Sequence, residues 1–139
     1  MSLPTIGAVL VCDDIRKEVN NKDILIGVYA ADILVPAFPA WLSVAVWMEM
    51  TPHEIGETDL RFRVAIGKNG VEIGMRLDAR TLNPVGVALP GLQLQAEEET
   101  EITVEVNENE NWRLLKTKKV LRGTFKLPLA MAATASGTT

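Results

Sequence analysis

The chain has 139 residues, a formal charge of -4 and a hydrophobic fraction of 47%, which suits one globular domain with its own core. No basic stripe is present to meet phosphates, so nucleic-acid binding is not expected. A single cysteine rules out an intramolecular disulfide framework, and no run approaches the ~20 apolar residues of a membrane helix.

The first element is an apolar run, Ile6 to Cys12, ending at Asp13 and Asp14. No basic residues precede it, so it does not read as a secretory signal, and a cytoplasmic protein is expected. Neighbouring residues of a strand point to opposite faces. The two acids can act together only if the strand stops between them. The sequence predicts that it does, with Asp14 capping a turn or helical start over "IRKEV" and Asp13 pairing with a base such as Arg16. "NNK" (20–22) is a turn signal, and Ile24–Asp32, apolar on both faces, reads as a buried central strand.

Trp41–Met50 alternates cleanly. Leu42, Val44, Val46, Met48 and Met50 form a core face, and Trp41, Ser43, Ala45, Trp47 and Glu49 an outer one. Next come two strands around Asn69-Gly70, a favoured pair for a tight hairpin turn. That turn predicts Ile66 opposite Ile73, Val64 opposite Met75, Phe62 opposite Leu77, Arg61 opposite Asp78 and Asp59 opposite Arg80. It leaves Arg63 discordantly opposite Arg76.

Gln93–Ala96 and Glu99–Val106 form one long strand or two short ones. "NENEN" (107–111) turns the chain, Trp112–Lys118 returns, and Val120–Leu127 is the last strand. Acidic 97–111 and basic 116–126 read as neighbouring strands with complementary solvent faces. Prolines 36, 39, 52, 84, 90 and 128 all fall between or at the edges of these runs. Eight or so short strands without a helical stripe predict an all-β antiparallel sandwich over 1–130, or alternatively a small closed barrel. Residues 131–139 read as a frayed tail.

Chemistry is sparsely supplied. His53, the only histidine, sits in a turn, and Cys12 lies in an apolar run that would raise its pKa and make it inert. A zinc site of Cys and His ligands lacks the residues, and "GKNGVEIG" is a hairpin and not a phosphate loop. If the early strands run up and down, Asp13, Asp14 and Asp23 gather at one end with the His53–Glu57 loop, and Asp32 lies roughly 25 Å away. A cation site from Asp13 or Asp14 with Glu54 or Glu57 is then geometrically open, as is a carboxylate-based enzyme. The outer face with Trp41, Ser43, Ala45 and Trp47 is the favoured interface, because two tryptophans flank small residues. It is either covered by Trp112 or the 35–39 loop, or it meets a partner.

The phrase "CDDIRKEVNNKDILIGVY" (12–29), followed by "VPAFPAWLSVAVWMEM" (35–50), resembles a family of small bacterial proteins grouped as a domain of unknown function. The matching residues are Cys12, Asp13, Asp14, Ile15, Arg16, Glu18, Lys22, Gly27 and Tyr29. The resemblance implies a compact, mostly β, cytoplasmic bacterial protein and carries no catalytic residues. The expectation is a non-catalytic protein-binding or assembly module, a homo-oligomer or one with a protein partner, and without a cofactor. A cation- or ligand-binding sandwich is the alternative.

Overall fold

The computed structural model describes residues 3–124. The expected tail at 131–139, and the last residues of the expected Val120–Leu127 strand, lie outside them. The described chain is all-β: β1 Thr5–Lys17, β2 Asp23–Val28, β3 Ile33–Val35, β4 Ala40–Thr51, β5 Gly56–Ile66, β6 Asn69–Ala79, β7 Val85–Ala88, β8 Leu92–Ala96, β9 Thr100–Glu108 and β10 Asn111–Arg122. No helix among the described residues is long and apolar enough to cross a membrane.

Two five-stranded sheets face each other in a sandwich-like arrangement. One has the order β2-β1-β4-β7, with β8 also on β4, and the other the order β3-β10-β9-β5-β6. The core lies between them. Val11, Val44, Val46, Met48 and Met50 of the first sheet meet Leu60, Phe62, Val64, Ile66, Ile102, Val104 and Val106 of the second. These are the period-two residues of their strands, and the predicted inner face of β4 is buried throughout.

The β5–β6 hairpin forms, but in another register. Ile66 pairs with Asn69, Val64 with Val71, Phe62 with Ile73 and Leu60 with Met75. The turn is therefore Gly67-Lys68, with Gly67 at φ 56°. A glycine with positive φ at the first central position suits a type II′ turn. The displacement is an even number of residues, so the apolar face still points inward. It replaces the Arg63–Arg76 opposition with Arg63 opposite Glu72 and Asp59 opposite Arg76, whose Nε lies 2.8 Å from the Asp59 carboxylate, and it brings Glu57 opposite Asp78. The two registers bury the same side and differ in the turn they use and in the charges they oppose on the outer face.

Residues 111–122 form one strand, β10, with an irregularity between Leu114 and Lys116. It pairs with β9, placing Glu101 opposite Lys119, so the acidic and basic segments are neighbours as expected. Asn109 and Glu110, at φ 53° and 67°, make the tight turn between them. Two short strands were not foreseen: β3, which runs parallel to the end of β10, and β7, which pairs with Met50 to Trp47 of β4.

β1 is the main departure. It does not stop between Asp13 and Asp14 but continues to Lys17, because β2 supplies a partner along that stretch from Cys12↔Val28 to Lys17↔Asp23. No helical start forms over "IRKEV", and β2 is an edge strand and not a central one.

Candidate functional site

The site is created where β1 leaves β4. Their ladder runs from Thr5↔Thr51 to Cys12↔Ala45 and ends there. Past that point β1 bends. Trp47 is paired with Leu10, yet its indole Nε1 donates to Asp23 Oδ2 at 3.1 Å, and Asp23 is paired with Lys17 at the hairpin tip. Only a bend between Leu10 and Lys17 brings the tip back to the indole. The bend has two results. It lays the hairpin tip over Trp47, and it uncovers the first residues of β4.

At Trp47 the chain supplies its own cover. Lys17, Asp23 and Leu25 of the hairpin share a cavity with Trp47, Pro84 and Gly86. Lys17 Nζ lies 2.9 Å from Asp23 Oδ1. Together with the indole N–H, this ion pair holds the Asp23 carboxyl below its ordinary pKa, against the opposing effect of burial. Gly86 lies under the indole, where an added Cβ would come within 2.6 Å of Trp47 Cζ2. Ala45, facing Cys12, is buried.

At the uncovered end lies an open cleft of about 730 Å³, lined by Asp13, Asp14, Tyr29, Trp41, Ser43 and Gln93 among others. Trp41 is 67% exposed at its rim. Side-chain donors occupy the place where the β1–β4 ladder stops. The Tyr29 hydroxyl donates to Asp13 Oδ1 at 2.5 Å, with the Ser43 carbonyl oxygen 3.4 Å away. The Cys12 thiol lies 3.5 Å from the Asp14 carbonyl oxygen and 3.6 Å from that of Ala45. Burial, reinforced by the Asp13 carboxylate, pushes the Tyr29 phenol above its ordinary pKa, so it stays a neutral donor near pH 7. Burial also raises the Cys12 thiol and keeps it unreactive.

Asp13 reaches Tyr29 by lying over Gly27, the β2 residue between the pairs Cys12↔Val28 and Asp14↔Ile26. Gly27 has φ 66°, and any Cβ there would meet the Asp13 carboxylate. Arg16 pairs with Asp14 at 3.2 Å and not with Asp13 as expected, since Asp14 and Arg16 share a strand face. On the far side of the cleft Gln93 Nε2 donates to Ser43 Oγ at 2.7 Å.

The structure thus divides the predicted interface. Trp41 and Ser43 line the cleft, Trp47 is partly covered by the hairpin and Ala45 is buried. The expected Trp112 cover is not responsible. Trp112 lies on the other sheet, stacked 4.4 Å from Arg63. The cation expectation also loses its geometry. His53 Nε2 sits 2.9 Å from Thr5 Oγ1, at the start of β1, and Glu57 pairs with Arg76 at 3.4 Å. Asp13 is roughly 26 Å further along the strand at about 3.3 Å per residue. Asp13 and Asp14 are not brought together with Glu54 and Glu57, and Asp23 is engaged at Trp47. Among the described residues no group of three or more His, Cys, Asp or Glu is arranged to hold a metal ion.

Sequence reasoning missed the bend, and with it Tyr29, Gly27, Gly86 and Gln93 as parts of one arrangement. A glycine inside an apolar strand was the available signal, since it marks a close approach.

No curated protein and no solved structure matches the chain. A family model described as a family of unknown function (DUF6941) matches residues 7–115, a span that includes every cleft residue named above. With that span covering most of its length, the chain belongs to this family.

Proposed function

We propose that the protein is a non-catalytic binding module that takes a partner protein in the Trp41 cleft. The observation that carries this is Trp41 itself, a large indole left 67% exposed at the mouth of a cleft. Exposed tryptophan beside a concave surface is the usual anchor of an interface. The neighbouring Asp13 and Asp14 carboxylates favour a partner segment carrying a cationic side chain, which the indole face also attracts. Catalysis is less well supported. Asp13 is held by Tyr29, Asp14 by Arg16, Cys12 is buried, and His53 lies at the other end of β1.

The test is affinity capture with wild type, Trp41→Ala and Trp112→Ala, read by quantitative mass spectrometry, followed by affinity measurement on the captured partner. Trp41→Ala is expected to lose partners that Trp112→Ala retains, with affinity falling about tenfold or more. Identical capture by all three proteins overturns the reading.

A further inference from the structure

We infer that the Trp41 cleft takes its partner as an added β-strand, an extended basic peptide segment that bonds to the backbone of β4 at Trp41 and Ser43. This rests on the binding reading above and adds the mode of recognition and the partner's chemistry. Backbone groups of successive strand residues alternate between the two edges of the strand. The Leu89 N–H donates to the Val46 carbonyl oxygen at 2.8 Å, so Val46 faces the β7 side. Val44 and Leu42 then face the same way, toward β8, with which they pair as Val44↔Leu92 and Leu42↔Leu94. Ala45, Ser43 and Trp41 face the opposite edge, toward β1. Two contacts agree: the Cys12 thiol lies 3.6 Å from the Ala45 carbonyl oxygen, and the Tyr29 hydroxyl 3.4 Å from that of Ser43.

The β1–β4 ladder ends at Cys12↔Ala45, so among the described residues no strand pairs with Trp41 or Ser43 on that edge. An open strand edge lying in a cleft is what β-strand addition requires, with backbone bonds holding the peptide and the lining choosing its side chains. The choice here falls on a cation. Asp13 and Asp14 are the only charged residues lining the cleft. Asp13 is partnered by the uncharged Tyr29 hydroxyl, which leaves its charge to a lysine or arginine of the occupant. The indole of Trp41 at the rim attracts the same group. On an added strand the cation belongs at alternate positions, on the face that carries the Trp41 and Ser43 side chains.

The probe is a capped peptide, Thr-Lys-Val-Lys-Val-Thr, with a second in which glutamate replaces both lysines. Amide hydrogen exchange of the wild-type protein is followed residue by residue by NMR. The lysine peptide is expected to slow exchange at Trp41 and Ser43 about tenfold or more, and to leave Leu42 and Val44, already paired with β8, within about twofold. The glutamate peptide is expected to change none of the four. Absence of protection at saturating lysine peptide overturns strand addition, as does protection that ignores the alternation. Equal protection by the glutamate peptide overturns the basic partner. Trp41 and Ser43 amides already protected in the protein alone would mean that this chain or a second copy fills the edge, and would also overturn it. The two readings fail separately. Capture lost in Trp41→Ala without peptide protection keeps the binding reading and rejects this one, whereas equal capture by all the proteins rejects the binding reading itself.

Discussion

Trp41 and Trp47 sit on one face of one strand, with only Ser43 and Ala45 between them on that face, and end in opposite environments. Trp47 has a hydrogen bond to Asp23, a glycine beneath its ring and a hairpin tip above it. Trp41 has a cleft beside it and solvent over most of its surface. β4 does nothing to separate them. The bend in β1 does, by covering one position and vacating the other. A residue's exposure was decided by a neighbouring strand's path, and two identical side chains in one alternation pattern acquired different environments.

The largest expected effect comes from disturbing the covered side. Gly86→Ala puts a Cβ against the Trp47 ring and should cost about 2 kcal/mol of stability in denaturant unfolding. Gly91→Ala, at the cleft, has nothing within 4 Å of the added atom and should stay within about 0.5 kcal/mol of wild type. Equal costs would mean that Trp47 is not packed as described.

Asp23 offers an intermediate effect with a sign. Lys17 and Trp47 depress its folded pKa, so its contribution is present above the unfolded value of about 3.9 and is lost as pH falls through the folded value. Asp23→Asn should lower stability by about 1 kcal/mol at neutral pH, and the difference from wild type should vanish in strong acid. Stability curves that remain parallel down to low pH would remove Asp23 from the account of Trp47.

The smallest effect is on the open side. Trp41→Ala should change stability by less than about 0.5 kcal/mol while removing the proposed binding anchor. A large loss of stability would show that the indole supports the fold and erase the contrast with Trp47.

Much of the fold was legible because it rests on local pattern. The inner face of β4, the β5 and β6 strands and the turn at 107–111 follow from alternation and turn chemistry. The register of β5 against β6 was not, since two registers bury the same face and Asn69-Gly70 competes with Gly67-Lys68. The site was half legible. Trp41 and Ser43 were identified from their place on the outer face. Their separation from Trp47 depends on where β1 stops pairing with β4, and nothing within "VCDDI" states that. The two aspartates take different partners, Asp13 the Tyr29 hydroxyl and Asp14 Arg16, and both line the cleft, yet the strand runs on because β2 is there to pair with it.

The short strand β3 carries a consequence for synthesis. Ile33–Val35 finds its partner only in Val120–Arg122, with most of the described chain between them. On a ribosome, the first four strands emerge long before β10 exists. The buried side chains of Ile33 and Val35 must then wait in water, or in a makeshift contact, until β10 arrives. Closure of the second sheet therefore waits for β10, and a nascent chain halted before Val120 leaves that edge of the core open.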